Sequence, residues 1–520
     1  MPGAVPAIEL RGIDKRFGAV HANRDIDLTV ARGSVHGIVG ENGAGKSTLM
    51  SILYGFYQAD RGDILIDGQL AIIRDSAAAI AAGIGMVHQH FMLVESFSVL
   101  ENIVLGVEGS ALLAPGKARA RTELAHLARE YAMDVDLDAI VGDLPVGQQQ
   151  RVEILKALYR GAAILVLDEP TAVLTPQEAD HLFRILRLLR DQGKTIILIT
   201  HKLREIMAVT DVVSVMRQGA MVAHRKTSAT TMEELAELMV GRTVLLRVDK
   251  SAAQPGREVL RVEHLRVLDG YGIERVKDVS LSVGAGEIVG IAGVSGNGQS
   301  ELLEAIAGIR PIADGRVVLN GEAVATRRLR SDPGKLRHLG LAHVPEDRHR
   351  MGLILPFAAC ESAILGYQDE PRFNIGPFLD HQTIVADTAV KMGAFDVRPN
   401  DPRLRTASFS GGNQQKIVLA REIEQDPDVL LVGQPTRGVD IGAIEAIHRR
   451  LIAMRDAGKA VLLVSVELDE IRMLADRILV MSNGRIVGEV MSDAADEGQL
   501  GLMMAGVAPV AAAAGAKAVP

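Results

Sequence analysis

Short, almost wholly apolar runs punctuate this chain. Val35-His-Gly-Ile-Val39, Ile164-Leu-Val-Leu167 and Thr195-Ile-Ile-Leu-Ile199 are each bounded by polar or glycine-rich segments. Runs of this length and character predict strands buried on both faces rather than strands with one wet side. Lys46–Tyr54 and Pro176–Arg190 read as helices lying between them. Strands that alternate with helices predict a mainly parallel sheet. The pattern then starts again, with Val429-Leu-Leu-Val432 echoing Ile164–Leu167. The expected fold class is α/β, in two tandem domains.

The repeat is not of short period. Gly40 and Gly293, which open two glycine-rich loops, stand 253 positions apart, and Asp168 and Gly433 stand 265 apart. An offset that grows by insertion fits two divergent homologous domains rather than a solenoid. The polar, Pro- and Gly-containing stretch Asp249–Arg257 has no hydrophobic period and marks the join. These signals place the domains at 6–247 and 257–507. The Ala-rich tail 508–520 is expected to fray.

Bulk properties narrow the function classes. A chain of 520 residues is too long for one ordinary core, and 48% hydrophobic residues give ample material for burial. A net charge of −8 with only 3% aromatic residues argues against a nucleic-acid partner, which would want basic surface and stacking rings. No apolar run approaches the length of a membrane span, and the start MPGAVPAIEL lacks the regions of a signal peptide. The expectation is a protein made and kept in the cytoplasm. The single cysteine, Cys360, excludes a disulfide framework and reads as a small residue of the fold.

The chemistry concentrates after the first strand. Gly40-Glu41-Asn42-Gly43-Ala44-Gly45-Lys46-Ser47-Thr48 is a complete GxxxxGK[ST] phosphate loop. Its backbone N–H groups and the following helix N-terminus suit phosphate. Lys46 would reach the β/γ-phosphates and Ser47 would hold Mg2+. Asp168 and Glu169 emerge together at the end of an apolar strand, the edge where open α/β sheets bind ligands. Asp168 suits the surroundings of a metal, and Glu169 suits polarising an attacking water. A bland alternative makes the two acids caps of the next helix. His201 follows the strand Thr195–Thr200 at the same edge, where a lone histidine is by default structural. His88-Gln89-His90 lacks the further ligands that a metal site needs. Phe17, upstream of the loop, reads by itself as a core residue, although a ring there could stack on a nucleobase.

Taken together these segments resemble the ABC ATPase family over nearly the whole chain. Its signature is intact in the second half as Phe409-Ser410-Gly411-Gly412-Asn413-Gln414-Gln415-Lys416. The resemblance implies two P-loop ABC domains, each a mainly parallel sheet core with a helical subdomain, binding ATP and Mg2+. It assigns Phe17 to adenine stacking, Gln89 to a loop linking Mg2+ with the transporter, Glu169 to the general base and His201 to a γ-phosphate contact. Ser47, Gln89 and Asp168 become the metal residues, and Ser410, Gly411 and Gly412 become phosphate contacts.

Each half departs from the family pattern at different places. In the first, the signature reads Leu144-Pro145-Val146-Gly147-Gln148, where proline removes both a hydroxyl and a backbone donor. In the second, Gln299 replaces the loop lysine, Glu346 the loop glutamine, Gly433 and Gln434 the two acids, and Val466 the histidine. The family's domains pack head to tail, so each ATP lies between one domain's phosphate loop and the other's signature. On that arrangement one composite site keeps Lys46, Asp168, Glu169, His201, Ser410, Gly411 and Gly412. The other combines Gln299, Gly433, Gln434 and Val466 with Pro145 and Val146. The loop after each acid strand agrees, with Asp440 in domain two and Thr175 in domain one.

Within the family, Gly83–Val94, Val152–Arg160 and Val344-Pro-Glu-Asp-Arg348 resemble the double-domain ATP-binding subunits of importers for simple sugars and nucleosides. Gly433-Gln434-Pro-Thr-Arg437 resembles the nucleoside branch. The implied partners are integral-membrane permease subunits and, indirectly, an extracytoplasmic solute-binding protein. The implied location is the cytoplasmic face of the membrane, and Phe91–Leu93 and Leu100–Leu105 are either permease-facing or core. Rival readings are a soluble tandem ATPase acting on ribosomes, a DNA-repair ATPase, an exporter ATPase and a non-hydrolysing scaffold. The short join without a basic extension, the lack of heptads between half-motifs and the intact Lys46 and Glu169 oppose the ribosomal, repair and scaffold readings in turn.

Overall fold

The computed structural model describes residues 5–18, 20–88, 91–107, 113–171, 174, 176–243, 250–294, 296–439, 441–504 and 506. Gln89, Thr175, Asp440 and the 508–520 tail lie outside the described residues. The chain packs as two units, Met1–Val244 and Leu245–Pro520.

In the first unit an antiparallel sheet runs β2-β1-β4-β5, with β1 Ile8–Phe17, β2 Val20–Val30, β4 Arg61–Ile66 and β5 Gln69–Leu70. The main sheet runs β10-β9-β3-β8-β7-β6, formed by β3 Val35–Gly40, β6 Ile84–Val87, β7 Ile164–Asp168, β8 Thr195–Ile199, β9 Val212–Arg217 and β10 Ala220–Lys226. Its pairings are parallel except for β9–β10. Every residue of β3 and β8 is buried, as uniformly apolar strands require. Between β6 and β7 the chain leaves the sheet for helices Val99–Val104, Leu113–Glu130 and Val146–Tyr159.

The second unit repeats this plan. One sheet runs β12-β11-β14-β15, with β11 Glu258–Leu268, β12 Glu274–Gly284, β14 Asp314–Leu319 and β15 Glu322–Thr326. The other runs β16-β19-β20-β13-β21-β22, with β13 Ile288–Ala292, β16 Leu341–Val344, β19 Val429–Gly433, β20 Ala460–Ser465, β21 Arg477–Ser482 and β22 Arg485–Met491. A small hairpin joins β17 Asn374–Ile375 to β18 Phe378–Leu379. The equivalent strand starts Ile84 and Leu341 stand 257 apart, whereas Pro145 and Ser410 stand 265 apart. The hairpin and a wide helical turn, Arg348–Gly352, lie in that interval.

Position in the sheet fixes where chemistry can occur. β3 lies between β8 and β9, and the loop at its C-terminal end enters helix Lys46–Leu53. The corner is glycine-dependent. Gly45 has φ 97°, and a Cβ there would fall 2.2 Å from Ala22 O. Gly298 repeats this with φ 102° and 2.3 Å to Arg275 O, at the foot of helix Gln299–Ile306. Both units are therefore α/β cassettes with the same loop geometry.

Candidate active site

The ends of β3, β7 and β8 bring Lys46, Ser47, Asp168, Glu169 and His201 together in the first unit. Lys46 is buried, and its Nζ donates to Gly40 O at 2.6 Å and Glu41 O at 3.0 Å. Burial lowers its pKa, while the charges of Glu169, Asp168 and Glu41 pull it back up. Asp168 ends β7 and hydrogen-bonds Ser47. Burial and the neighbouring Glu169 hold its pKa above the ordinary carboxylate range, against Ser47 and Lys46. Asn42, Gly43 and Ser47 are exposed, so the loop opens outward.

Glu169 faces a different environment one residue later. Burial works to raise its pKa, but a 2.8 Å hydrogen bond with His201 Nδ1 and the charges of His201, Lys46 and Lys202 outweigh burial and lower it. It is held as an ionised carboxylate beside an imidazole, able to accept a proton from a bound water. Its backbone is left-handed, φ 46°, with its N–H donating to Ile199 O at 2.8 Å. The kink aims two successive carboxylates at two partners, Ser47 and His201.

Phe17 is 42% exposed at the end of β1, which corrects its reading as a core residue. Its ring meets Tyr57 edge-on at 5.1 Å, with Lys15 Nζ 5.5 Å from its centroid. Tyr57 was not singled out from sequence. The run Tyr54-Gly-Phe56-Tyr57 after the first helix was the available signal. Gln89 lies outside the described residues. In the second unit, Ser410 caps helix Gly411–Ile423, its Oγ accepting from Asn413 N, while the first unit's equivalent cap, Pro145, has no side-chain bond to give. Both signature turns are pinned alike. Gln414 Nε2 donates to Thr406 O and Phe409 O, and Gln149 Nε2 to Val141 O and Leu144 O.

The second unit keeps the scaffold of the same centre with other groups on it. Gln299 is buried and donates to Val294 O at 3.1 Å. Gln434 has φ 49°, its N–H donates to Val464 O at 2.8 Å, and its Oε1 accepts from Val466 N at 3.2 Å. Ser300 Oγ donates to Glu346, a contact that sequence did not disclose because Glu346 read only as a lost glutamine. Among the described residues no group of three or more His, Cys, Asp or Glu is placed to hold a metal by itself.

A family profile for ABC transporters matches residues 23–172 and 276–437, one stretch in each unit. The chain is 46% identical to the nucleoside import ATP-binding protein NupA of Lactococcus lactis subsp. cremoris, over 96% of this chain and 98% of that one. It is 48% identical to the guanosine import ATP-binding protein NupO of Bacillus subtilis, over 96% and 97%. It is 45% identical to the glucose import ATP-binding protein TsgD13 of Haloferax volcanii, over 98% of each. With both loops, both acid-strand scaffolds and near full-length relatives in agreement, the chain belongs to the ABC transporter family, as a tandem ATPase subunit coupled to transmembrane transport.

Proposed function

We propose that this ATPase energises import of a small solute, a nucleoside or a simple sugar, by hydrolysing ATP at one composite centre per chain. Domain one (6–247) would supply the phosphate loop and acids, and domain two (257–507) the signature Ser410-Gly411-Gly412. The observation that carries the proposal is the Ser47–Asp168 and His201–Glu169 pairing around a buried Lys46. Lys46 would hold the β- and γ-phosphates, Glu169 would take the proton of the attacking water, and His201 would keep Glu169 in place and reach the γ-phosphate. Phe17 would stack on the adenine, with Tyr57 backing its ring. Ser47 and Asp168 present a hydroxyl and a carboxylate, the hard oxygens that Mg2+ accepts alongside phosphate, and Gln89 would join them. The ion would neutralise charge on the β- and γ-phosphates.

The nucleoside reading is favoured by NupA and NupO, whose names state nucleoside and guanosine import. Permease subunits would dock beside the segment after Gln89, where Met92, Val94, Phe97, Leu105 and Val107 expose apolar surface while Leu100, Ile103 and Val104 are core. An extracytoplasmic binding protein would deliver the solute. No helix among the described residues is long and apolar enough to cross a membrane, so attachment at the cytoplasmic face would run through those subunits. Co-purification with the membrane subunits, with turnover stimulated by a nucleoside-loaded binding protein, tests this. Stimulation by a sugar alone would move the solute to the other class, and absence of any membrane partner would end the import reading.

A further inference from the structure

A half-buried arginine lies against the intact signature without a counter-ion. It opens the wide turn Arg348–Gly352, which follows β16 and is fastened to the signature helix Gly411–Ile423. His349 Nε2 shares a 2.8 Å hydrogen bond with Gln414 Oε1, and Arg421 Nη1 donates to Gly352 O at 2.7 Å. This anchoring lays the Arg348 guanidinium on the signature turn itself. A Cβ at Gly411 would fall 2.6 Å from Arg348 Nη2, so any larger residue there would displace the guanidinium. A Cβ at Gly438, in the loop after β19, would fall 3.6 Å from the same nitrogen.

Most of its hydrogen-bonding capacity is unused. Nη1 donates to Arg437 O at 3.1 Å, and Nε is buried without a partner. Among the described residues no carboxylate pairs with it. The neighbouring Asp347 directs its carboxylate at His349 N and Arg350 N, at 3.0 and 3.1 Å. Burial and the like charge of Arg437 lower the pKa of Arg348, with Asp347 opposing, yet a guanidinium stays charged in a protein. A cation held this way is costly until an anion joins it. The first unit has neither arginine. Counting from β6 and β16, Phe91 stands at the position of Arg348, and counting from β7 and β19, Ala172 stands at that of Arg437. Both arginines accompany the signature that is intact and are missing where Pro145 and Val146 have replaced it.

We propose that Arg348 is a further catalytic residue of the composite centre, binding the terminal phosphate alongside Ser410, Gly411 and Gly412 and stabilising its charge during transfer. The proposal rests on the reading that the two units share that centre. In the reaction the water oxygen bonds the γ-phosphorus as the bond to the bridging oxygen breaks. The electron pair leaves on ADP, and the water's proton goes to Glu169. Arg348 exchanges no proton. Its planar fork matches two oxygens of a phosphoryl group, where charge spreads as the transfer proceeds. Gly411 then has a second reason to lack a side chain, since the guanidinium passes where a Cβ would stand.

The test measures turnover, ATP affinity and trapping by orthovanadate, a mimic of the phosphoryl group in flight, for the full chain in its assembled complex. Arg348→Ala should lower kcat by about 10²–10³-fold and stop trapping, while ATP affinity changes by less than about 3-fold because Lys46 and the first loop remain. Arg348→Lys should recover only part of the rate, since an ammonium group cannot fork. Free guanidinium at low millimolar concentration should restore some turnover to Arg348→Ala and none to Ser410→Ala. Near-normal turnover by Arg348→Ala beside a slow Ser410→Ala would overturn the role of Arg348 and leave the shared centre standing. Near-normal turnover by both would overturn the shared centre, and this proposal with it. Equal losses in Arg348→Ala and Arg348→Lys, with a lowered melting point and no rescue by guanidinium, would make Arg348 a packing residue of the turn and nothing more.

Discussion

Glu169 and Gln434 have the same backbone and opposite chemistry. Both are left-handed, φ 46° and 49°, and both N–H groups donate across the sheet edge at 2.8 Å, to Ile199 O and Val464 O. Strain of this kind costs on the order of 1–3 kcal/mol and persists only where the surroundings over-determine it. Here the neighbouring strand does so in both units, whether or not a base is present. The strained kink is therefore a property of the cassette and not a sign of turnover. What separates the units is who answers the side chain: an imidazole at Glu169, a backbone N–H at Gln434.

The sharpest break of the comparison is at the base itself. Glu169→Gln should lower hydrolysis by about 10²–10³-fold while ATP binding survives, because the water loses its proton acceptor and the loop contacts remain. Gln434→Glu should restore nothing, since Val466 and Gln299 still stand opposite it. Steady-state turnover and nucleotide binding in the assembled complex measure both, and brisk hydrolysis by Glu169→Gln would remove the base assignment. A smaller loss tests the shared-site proposal. Ser410→Ala combined with Gly412→Asp should cost about 10²-fold, as an oxyanion-type donor is lost and a carboxylate is placed near phosphate. Val146→Ala in the other signature should leave the rate nearly unchanged. Equal sensitivity of the two signatures would mean that the units do not divide the work as proposed.

The regularity of the fold made most of it legible. Val35–Val39, Ile164–Leu167 and Thr195–Ile199 became β3, β7 and β8, each within a residue of the expected limits, because fully buried strands leave continuous apolar runs. Lys46, Ser47, Asp168 and Glu169 were readable because each belongs to a local motif whose spacing is set by the loop or strand that carries it. The Ser300–Glu346 bond was not readable. It joins residues 46 apart in sequence through the pairing of β16 with β19, and whether Gly433 leaves room for a side chain depends on that packing. Phe17 was misjudged alone because the last residue of a strand can face either way, and only the neighbouring Tyr57 shows which.

Acid should weaken both units through matched groups. His36 in β3 is buried against Ser214 Oγ at 2.7 Å, and burial, with His224 beside it, lowers its pKa from 6.5 to about 4. Burial lowers His343 in β16 to about 4 as well, with Glu422 opposing. Below pH 6.5 the unfolded chain takes up a proton that the folded chain refuses. The stabilisation from each neutral imidazole is therefore full above that pH and is lost as pH falls toward 4, by at most about 3 kcal/mol per group. Denaturant midpoints across that window should fall less steeply in His36→Gln. An unchanged slope would place the acid sensitivity on other groups.

The smallest expected effect separates a vanished carboxylate from a displaced one. Gly433→Ala forces a methyl to 2.9 Å from Glu346 N, so the end of β16 must shift, at a cost of about 1 kcal/mol in the second unit. Hydrolysis should not change, because position 433 takes no part in the proposed working centre. Gly433→Asp should cost more stability and still leave hydrolysis unchanged, since its carboxylate can enter only by pushing Glu346 off Ser300. Melting of the full chain and steady-state turnover in the assembled complex read the two effects separately. If Gly433→Asp were accommodated without loss of stability, the space at the end of β19 would be free. The absence of an acid there would then be plain loss, and Glu346 would be paired with Ser300 for no purpose beyond closing the loop.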